Sequence, residues 1–236
     1  MRFSPCRRYP RLPPPLNYTP SARLAAQDAR YNAPPRMALP AKDYADALAA
    51  FVPEKRHAHS LNVAAAARQL AERFAPEFAD QAELAGLLHD NAKGMTVAEL
   101  IEGAERLDIE VTDIERDQPK LLHGKVGAAL LGERFGVEDM GIAQAVADHV
   151  TGRHGMGMLS EILFVADQAA ADRDFPGVEQ LRETAQRDLD AAVLQVLKFK
   201  LAYLMQKNRP IVLEWLAVYN EYVGRRQVAE TERGRP

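Results

Sequence analysis

The chain has 236 residues, 47% of them hydrophobic and 27% charged, a composition typical of a soluble globular protein of one domain with a short appendage. It has no run of about 18 apolar residues, which excludes a membrane-spanning helix. A net charge of −3 gives no reason to expect nucleic acid as a partner. The single cysteine, Cys6, excludes an internal disulfide and fits a reducing compartment, so we expect a cytoplasmic protein.

Residues 1–40 differ in composition from the rest of the chain. They hold nine of the 15 prolines and show no apolar periodicity, so we predict a disordered leader. Residues 1–36 carry seven arginines and one acid, a net charge of +6, which leaves −9 for the remaining residues. An organellar transit peptide would also be rich in arginine, but the proline density opposes an amphipathic helix. The interpretation we favour is that translation starts at Met37.

From about residue 41 onward, apolar residues recur at spacings of three and four, which predicts helices. Pro76, Gly94, Gly136 and Pro210 interrupt the pattern, and residues 108–118 and 151–157 are predicted to be loops. A capping box of Thr96 and Glu99 and a cap at Ser160 are expected to start two of the helices. The predicted helices span residues 41–51, 53–74, 77–90, 97–107, 119–135, 138–149, 160–172, 178–186, 189–207 and, after Pro210, a last segment to about 223.

No stretch alternates apolar and polar residues with period two, so no sheet is expected. The predicted fold class is an all-α helical bundle with short connections. Its domain would span residues 41–225, followed by a frayed tail over 226–236.

The most informative stretch is 83–93, where an apolar helix ends directly in His89 and Asp90. An imidazole and a carboxylate are costly to bury unless something binds them, and a metal ion would satisfy both. Hydrogen bonding of the pair to each other or to the backbone is the more common alternative for an isolated pair. The pair is not isolated, because other polar residues of metal-binding type interrupt apolar runs of separate helices. These are His59, His123, His149 and Asp167.

The order His59, His89-Asp90, His123, His149, Asp167 resembles that of the HD-domain metal-dependent phosphohydrolases. The flanking residues resemble the YqeK family within that superfamily, over about residues 41–223. The matching segments are Arg56-His57-Ala58-His59-Ser60, Leu87-Leu88-His89-Asp90-Asn91-Ala92-Lys93, His123-Gly124-Lys125, His149-Val150-Thr151-Gly152-Arg153 and Phe175-Pro176-Gly177-Val178.

The resemblance implies an HD-domain bundle and an enzyme that cleaves dinucleoside tetraphosphates symmetrically into two nucleoside diphosphates. It implies that His59, His89, Asp90 and Asp167 hold a first metal and that His123 and His149 assist a second metal or contact phosphate. Asp90 could then offer one oxygen to each metal, and two metals about 3.5–4 Å apart can activate water and orient a phosphoryl group. The resemblance implies iron, while the ligand types also suit manganese and cobalt.

Several cationic residues lie within a turn or two of the predicted ligands and could contact a polyphosphate. Asp90 and Lys93 are the predicted catalytic residues, and His59, His123 and His149 are expected to face the substrate as well as the metal. Backbone groups around Thr151 could also meet phosphate. The predicted cationic contacts are Arg56, Lys93, Arg153 and Arg173.

The match to the family is weakest in three places. Lys125 stands where the family usually has proline, and the loop after His149 has Val150 and His154 where the family has threonine and proline. The family often has an Ile-His-Pro stretch beside the nucleotide, and residues 208–215 here lack that histidine. The resemblance therefore supports metal binding more strongly than base recognition and substrate identity.

Three alternatives stay open: hydrolysis of another nucleotide, a non-catalytic nucleotide-binding regulator and a helical interaction scaffold. The sequence is compatible with a homodimer but does not fix the oligomeric state.

Overall fold

The computed structural model describes residues 41–233, so the predicted disorder of residues 1–40 and the predicted start at Met37 lie outside the described residues. Between residues 41 and 233 all regular structure is helical and no strand occurs, which confirms the all-α class. None of these helices is long and apolar enough to cross a membrane. The helices are α1 (Ala41–Leu48), α2 (Glu54–Phe74), α3 (Ala79–Leu88), α4 (Val97–Arg106), α5 (Asp113–Asp117), α6 (His123–Ala129), α7 (Leu131–Phe135), α8 (Met140–Asp148), α9 (Met158–Ala169), α10 (Val178–Ala185), α11 (Leu189–Gln206) and α12 (Leu213–Arg233). Short 3₁₀ turns at Pro76–Phe78 and Pro119–Leu122 lead into α3 and α6.

Helix α9 lies at the centre of the bundle. Its residues 159–167 are all buried, whereas a surface helix would bury only one face. Helices α2, α3, α8 and α11 pack around it. Asp167, near the carboxyl end of α9, is therefore carried to the middle of the domain.

Helices α2 and α3 approach each other closely at Gly86. A Cβ atom at this position would lie 2.8 Å from the Cα of Ala64 on α2, closer than real Cβ atoms come to backbone. Only glycine permits this separation of the two helices. The contact brings His59 on α2 and His89 after α3 next to each other, with ring centroids 5.4 Å apart.

Two predicted segments differ from the structure. Residues 108–118 are not all loop, because Thr112 caps α5 and forms a reciprocal capping box with Glu115. The single helix predicted over 119–135 is instead the 3₁₀ turn followed by α6 and α7. Three glycines in this stretch lower its helix propensity and explain the interruption: Gly124, Gly127 and Gly132.

Two predicted helix ends are also corrected. Helix α9 begins at Met158 after Gly157, and Ser160 is not its cap but a buried residue whose hydroxyl donates to Asp148 at 2.8 Å. Helix α12 continues ten residues beyond the predicted end at Val223, through the start of the tail predicted to fray. Ion pairs from two arginines of this extension explain its order: Arg225 reaches Glu161 on α9 at 2.8 Å, and Arg226 reaches Asp188 at 2.7 Å.

Candidate metal centre

Three of the predicted histidines share one local geometry. His89 follows α3, His123 follows the 3₁₀ turn and His149 follows α8, so each meets a helical turn whose last carbonyl groups lack intrahelical partners. Each ring donates its Nδ1–H to the carbonyl oxygen three residues earlier. The distances are 2.7 Å to Gly86, 2.6 Å to Lys120 and 2.7 Å to Val146. Because a carbonyl only accepts, the proton lies on Nδ1 and the Nε2 lone pair faces the site.

His59 is held differently. Its Nδ1 lies 2.8 Å from a carboxylate oxygen of Asp172, in the segment that follows α9. Its Nε2 lies 3.1 Å from Oδ1 of Asp167. A second-sphere carboxylate of this kind orients a metal-binding imidazole and raises its basicity. Sequence reasoning missed Asp172, which lies in a short charged loop without apolar periodicity.

Asp90 lies between the three histidines that follow helical turns. Its Oδ1 is 3.2 Å from Nε2 of His123 and 3.6 Å from Nε2 of His149. Its Oδ2 is 3.6 Å from Nε2 of His89. The two oxygens of one carboxylate therefore face different imidazoles, as the sequence-based hypothesis of a bridging ligand requires.

The side chains form two overlapping groups, within each of which one ligand atom per residue lies within 4.8 Å of the others. We call them the Asp167 group (His59, His89, Asp167) and the Asp90 group (His89, Asp90, His149). Ligand atoms about 2.0–2.2 Å from one metal are about 3–3.6 Å apart at octahedral or tetrahedral angles. The distances from imidazole nitrogens to carboxylate oxygens in the two groups are 3.1–3.8 Å, at or slightly beyond this range, with Asp90 using a different oxygen toward each histidine.

One unsatisfied atom supports a metal in particular. Nε2 of His89 is buried and has no hydrogen-bond partner among the described residues, although a buried polar atom is normally paired. It belongs to both groups, so a metal in either position would satisfy it. The ligand set contains only imidazoles and carboxylates and thus suits iron, manganese, zinc or cobalt.

The electrostatics of the site keep His89, His149 and the two aspartates in a metal-binding form. Burial lowers the pKa of His89 and lowers that of His149 to about 4, so both imidazoles are neutral near pH 7. Burial alone would raise the pKa of Asp90, but this pKa is held well below its usual value, and the Lys93 ammonium is a nearby positive charge that favours the ionised carboxylate. Asp167 is likewise held ionised, because its hydrogen bond to His59 and the charge of Arg173 outweigh burial.

Three of the four predicted cations lie at this centre. Arg56 reaches Oδ2 of Asp90 at 3.4 Å, and its side chain is 40% exposed. Lys93 lies 2.9 Å from Nε2 of His123 and 3.7 Å from Oδ1 of Asp90. Arg173 donates to both the carboxylate and the backbone carbonyl of Asp167.

Thr151 and Arg153 lie elsewhere. They line a cavity of about 270 Å³ that none of the six predicted metal ligands lines. Arg153 pairs there with the buried Asp148 at 3.3 Å. Among the described residues, the hydrogen bonds of Thr151 and Arg153 go to Gly152, Asp148 and His154 and to none of the six ligands.

The fold and the site define a class: an all-helical domain in which histidines and aspartates from separate helices converge on a centre that could hold a metal. Residues 56–197 match the family described as "HD domain". The chain belongs to the HD-domain family, whose hydrolases are metal-dependent, and the YqeK-type resemblance seen in the sequence is confirmed by the relatives below.

One relative is a protein of Bacillus subtilis named "Bis(5'-nucleosyl)-tetraphosphatase, symmetrical". It is 36% identical over 169 residues, 71% of this chain and 89% of the relative. A Staphylococcus aureus protein of the same name is 32% identical over 73% of this chain and 85% of its own length. A crystal structure from Clostridium acetobutylicum, titled a predicted HD superfamily hydrolase involved in NAD metabolism, superposes with a TM-score of 0.76 at 30% identity, covering 79% of this chain and 98% of that one.

Proposed function

We propose that the protein is a metal-dependent phosphoanhydride hydrolase that cleaves diadenosine tetraphosphate symmetrically into two molecules of ADP. The observation that carries this proposal is the position of Asp90, whose two oxygens face different imidazoles while Arg56 and Lys93 lie beside it. Curated relatives with 32–36% identity over most of their length carry the name of this activity, which supports the same substrate here.

The chain offers a ligand set for two ions. His59, His89, Asp90 and Asp167 would hold one, and Asp90 with His149 and His123 would hold the other. A bound metal of this kind supplies Lewis acidity and lowers the pKa of a coordinated water. We propose iron as the native metal, with manganese and cobalt as the alternatives that the same nitrogen and oxygen ligands accept.

The remaining residues bind and orient the phosphates. Arg56, Lys93 and Arg173 carry positive charge at the edge of the site, with side chains 30–40% exposed, so a polyphosphate can reach them. In the reaction the oxygen of water bonds to one inner phosphorus and the central phosphoanhydride bond breaks. The leaving group departs as the second diphosphate. The three cations oppose the negative charge that grows on the bridging and non-bridging oxygens in this step.

Hydrolysis of another nucleotide is the second candidate, favoured by one specific observation. The segment around Val212 lacks the histidine that the family has beside the base, and Val212 itself is only 3% exposed. It therefore offers neither a polar group nor much surface to a nucleobase. A site that holds metal and phosphate in the family manner could consequently accept a different nucleoside.

The experiment is elemental analysis and product identification on one anaerobically purified sample. We expect iron in the protein and ADP as the sole product from diadenosine tetraphosphate. Release of AMP together with ATP would contradict symmetrical cleavage, and faster release of monophosphate from another nucleotide would favour the second candidate. Tight nucleotide binding without turnover in the presence of iron, manganese or cobalt would instead indicate a regulator.

The remaining sequence-based expectations belong with this proposal. A cytoplasmic location, a homodimer and domain limits at residues 41 and 225 stay predictions. Phosphate contacts by Thr151 and Arg153 also stay predictions, and their cavity makes a direct role at the metal less favoured than the sequence implied.

A further inference from the structure

Lys200 on α11 has an unusual position for a lysine. Its ammonium donates to the carbonyl oxygen of Val150 at 2.9 Å, and it lies 4.4 Å from the ring centroid of Phe164 and 5.4 Å from that of Trp215. Val150 directly follows His149, and Phe164 lies one turn before Asp167 on α9. The ammonium is thus placed beside two of the elements that carry the metal-binding groups.

Lys200 forms no direct ion pair with a carboxylate in the described part of the chain, although the charge of Asp167 acts on it from further away. An ammonium has three N–H donors, and Lys200 uses one of them on a neutral carbonyl. The aromatic faces of Phe164 and Trp215 stabilise the cation but do not replace hydrogen bonds. Lys200 is half-buried, and a cation partly withdrawn from water is stabilised by an opposite charge, so this environment favours the binding of an anion.

The contacts of Lys200 with Val150, next to His149, and with Phe164, one turn before Asp167, indicate that such an anion would lie toward the metal centre. Burial lowers the pKa of Lys200 to about 8, and the charges that act on it are those of Asp167, Arg173 and Lys93. All three belong to the metal centre, so Lys200 belongs to the same electrostatic environment. A second donor lies beside it, because the buried Nε1–H of Trp215 has no hydrogen-bond partner among the described residues.

We propose that Lys200 is a further substrate-binding residue, which contacts the phosphate oxygens of the nucleotide on the side of the centre formed by α9 and α11. The inference rests on the proposed function in that it takes a nucleotide polyphosphate as the ligand of the site. A phosphate chain supplies a negative charge and several acceptor oxygens. The unpaired N–H groups of Lys200 and Trp215 could bind to those oxygens. A nucleobase edge would supply acceptors but no charge.

The test compares Lys200→Met with Lys198→Met, a control that removes an exposed lysine from the same helix. Methionine fits between Phe164 and Trp215, so we expect an unchanged metal content and an unchanged or higher Tm. The metal-loaded variants are titrated with ADP and with inorganic pyrophosphate. We expect Lys200→Met to weaken both by a similar factor, roughly 10- to 100-fold, the usual effect of removing a hydrogen bond to a charged group. Lys198→Met should bind both as the wild type does, and Lys200→Arg should recover part of the loss.

The outcomes separate this inference from the proposed function. Weakened ADP binding with normal pyrophosphate binding would place Lys200 at the nucleoside and overturn the inference. So would unchanged binding of both ligands, or a loss of metal or Tm that accounts for the weaker binding. If the wild type fails to hydrolyse diadenosine tetraphosphate but binds pyrophosphate through Lys200, the proposed function fails and the inference stands. If the wild type hydrolyses the substrate, the Lys200→Met variant should raise KM by a larger factor than it lowers kcat.

Discussion

The two groups of the metal centre are held in place in different ways. In the Asp90 group, the imidazoles of His89 and His149 donate to carbonyl oxygens at the ends of their own helices. In the Asp167 group, His59 is held by the carboxylate of Asp172, and Asp167 by the guanidinium of Arg173. One group therefore depends on backbone geometry, and the other also depends on two consecutive side chains of the segment after α9.

The difference matters for how each group can change. The backbone tethers of His89 and His149 use carbonyl oxygens, which a substitution that changes only a side chain leaves in the sequence. A side-chain tether can be altered by a single substitution while the ligand itself remains. We therefore expect substitutions outside the ligand set to change the metal affinity of the Asp90 group and of the Asp167 group differently.

The largest expected effect on metal binding and turnover comes from substituting Asp90, which lies among the imidazoles of the centre. Asp90→Ala removes both oxygens that face the imidazoles and leaves His89, His123 and His149 without their shared anion. We expect loss of bound metal, measured by elemental analysis, and loss of turnover to background. The far-UV circular dichroism should stay that of the wild type, because Asp90 lies after the end of α3. Near-normal hydrolysis by this variant would contradict the assignment of the centre.

The next largest effect is expected at Gly86, where α3 contacts α2 and thereby places His89 next to His59. Gly86→Ala places a Cβ 2.8 Å from the Cα of Ala64, so α2 and α3 must separate. We expect destabilisation by roughly 1–3 kcal/mol, as for other overpacked sites, and a Tm lowered by several degrees. Metal affinity should fall as well, because the shift moves His59 away from His89.

Gly132→Ala is the matched control, since a Cβ there meets nothing closer than 3.9 Å. Alanine is the better helix former, so this variant should keep or slightly raise the Tm. Equal Tm values for the two variants would show that the close approach at Gly86 is not required.

The six candidate ligands were predictable from sequence for a physical reason. Histidines and aspartates that interrupt apolar runs, such as His89 and Asp167, must find a partner when they are buried, and their side chains are 1–10% exposed in the structure. The structure brings all six together, while their role as metal ligands stays a prediction. The helical class was predictable in the same way, because apolar spacing reports burial directly.

The residues that sequence reasoning missed lack that signal. Asp172 is 38% exposed and lies in a charged loop, where an acid is expected in any protein. Lys200 is an ordinary lysine by sequence, and only its neighbours on α9 and α12 make it unusual. Helix α5 was missed because its capping box lies within a polar stretch that resembles a loop. In each case the contact that gives the residue its role joins groups distant in sequence or joins a side chain to the backbone.

The smallest predicted effect tests the side-chain tether itself. Asp172→Asn keeps a hydrogen-bond acceptor for Nδ1 of His59 but removes the charge that raises the basicity of the ring. We expect about a tenfold loss of metal affinity, the lower end of the range for second-sphere partners, because Asp172 is partly exposed to water. The measurement is competition for metal with a chelator. Asp174→Asn, an exposed aspartate two residues further on, is the control and should bind metal as the wild type does.

The form of the titration distinguishes the two halves of the centre. If Asp172 acts only on the Asp167 group, the Asp172→Asn variant should bind one equivalent of metal with the wild-type affinity and a second equivalent more weakly. The equivalent that stays tight would belong to the Asp90 group, whose tethers are backbone carbonyls that this substitution leaves in place. Equal weakening of both equivalents would show that the shared ligands His89 and Asp90 couple the two groups. Unchanged binding of both would show that Asp172 does not contribute to metal affinity.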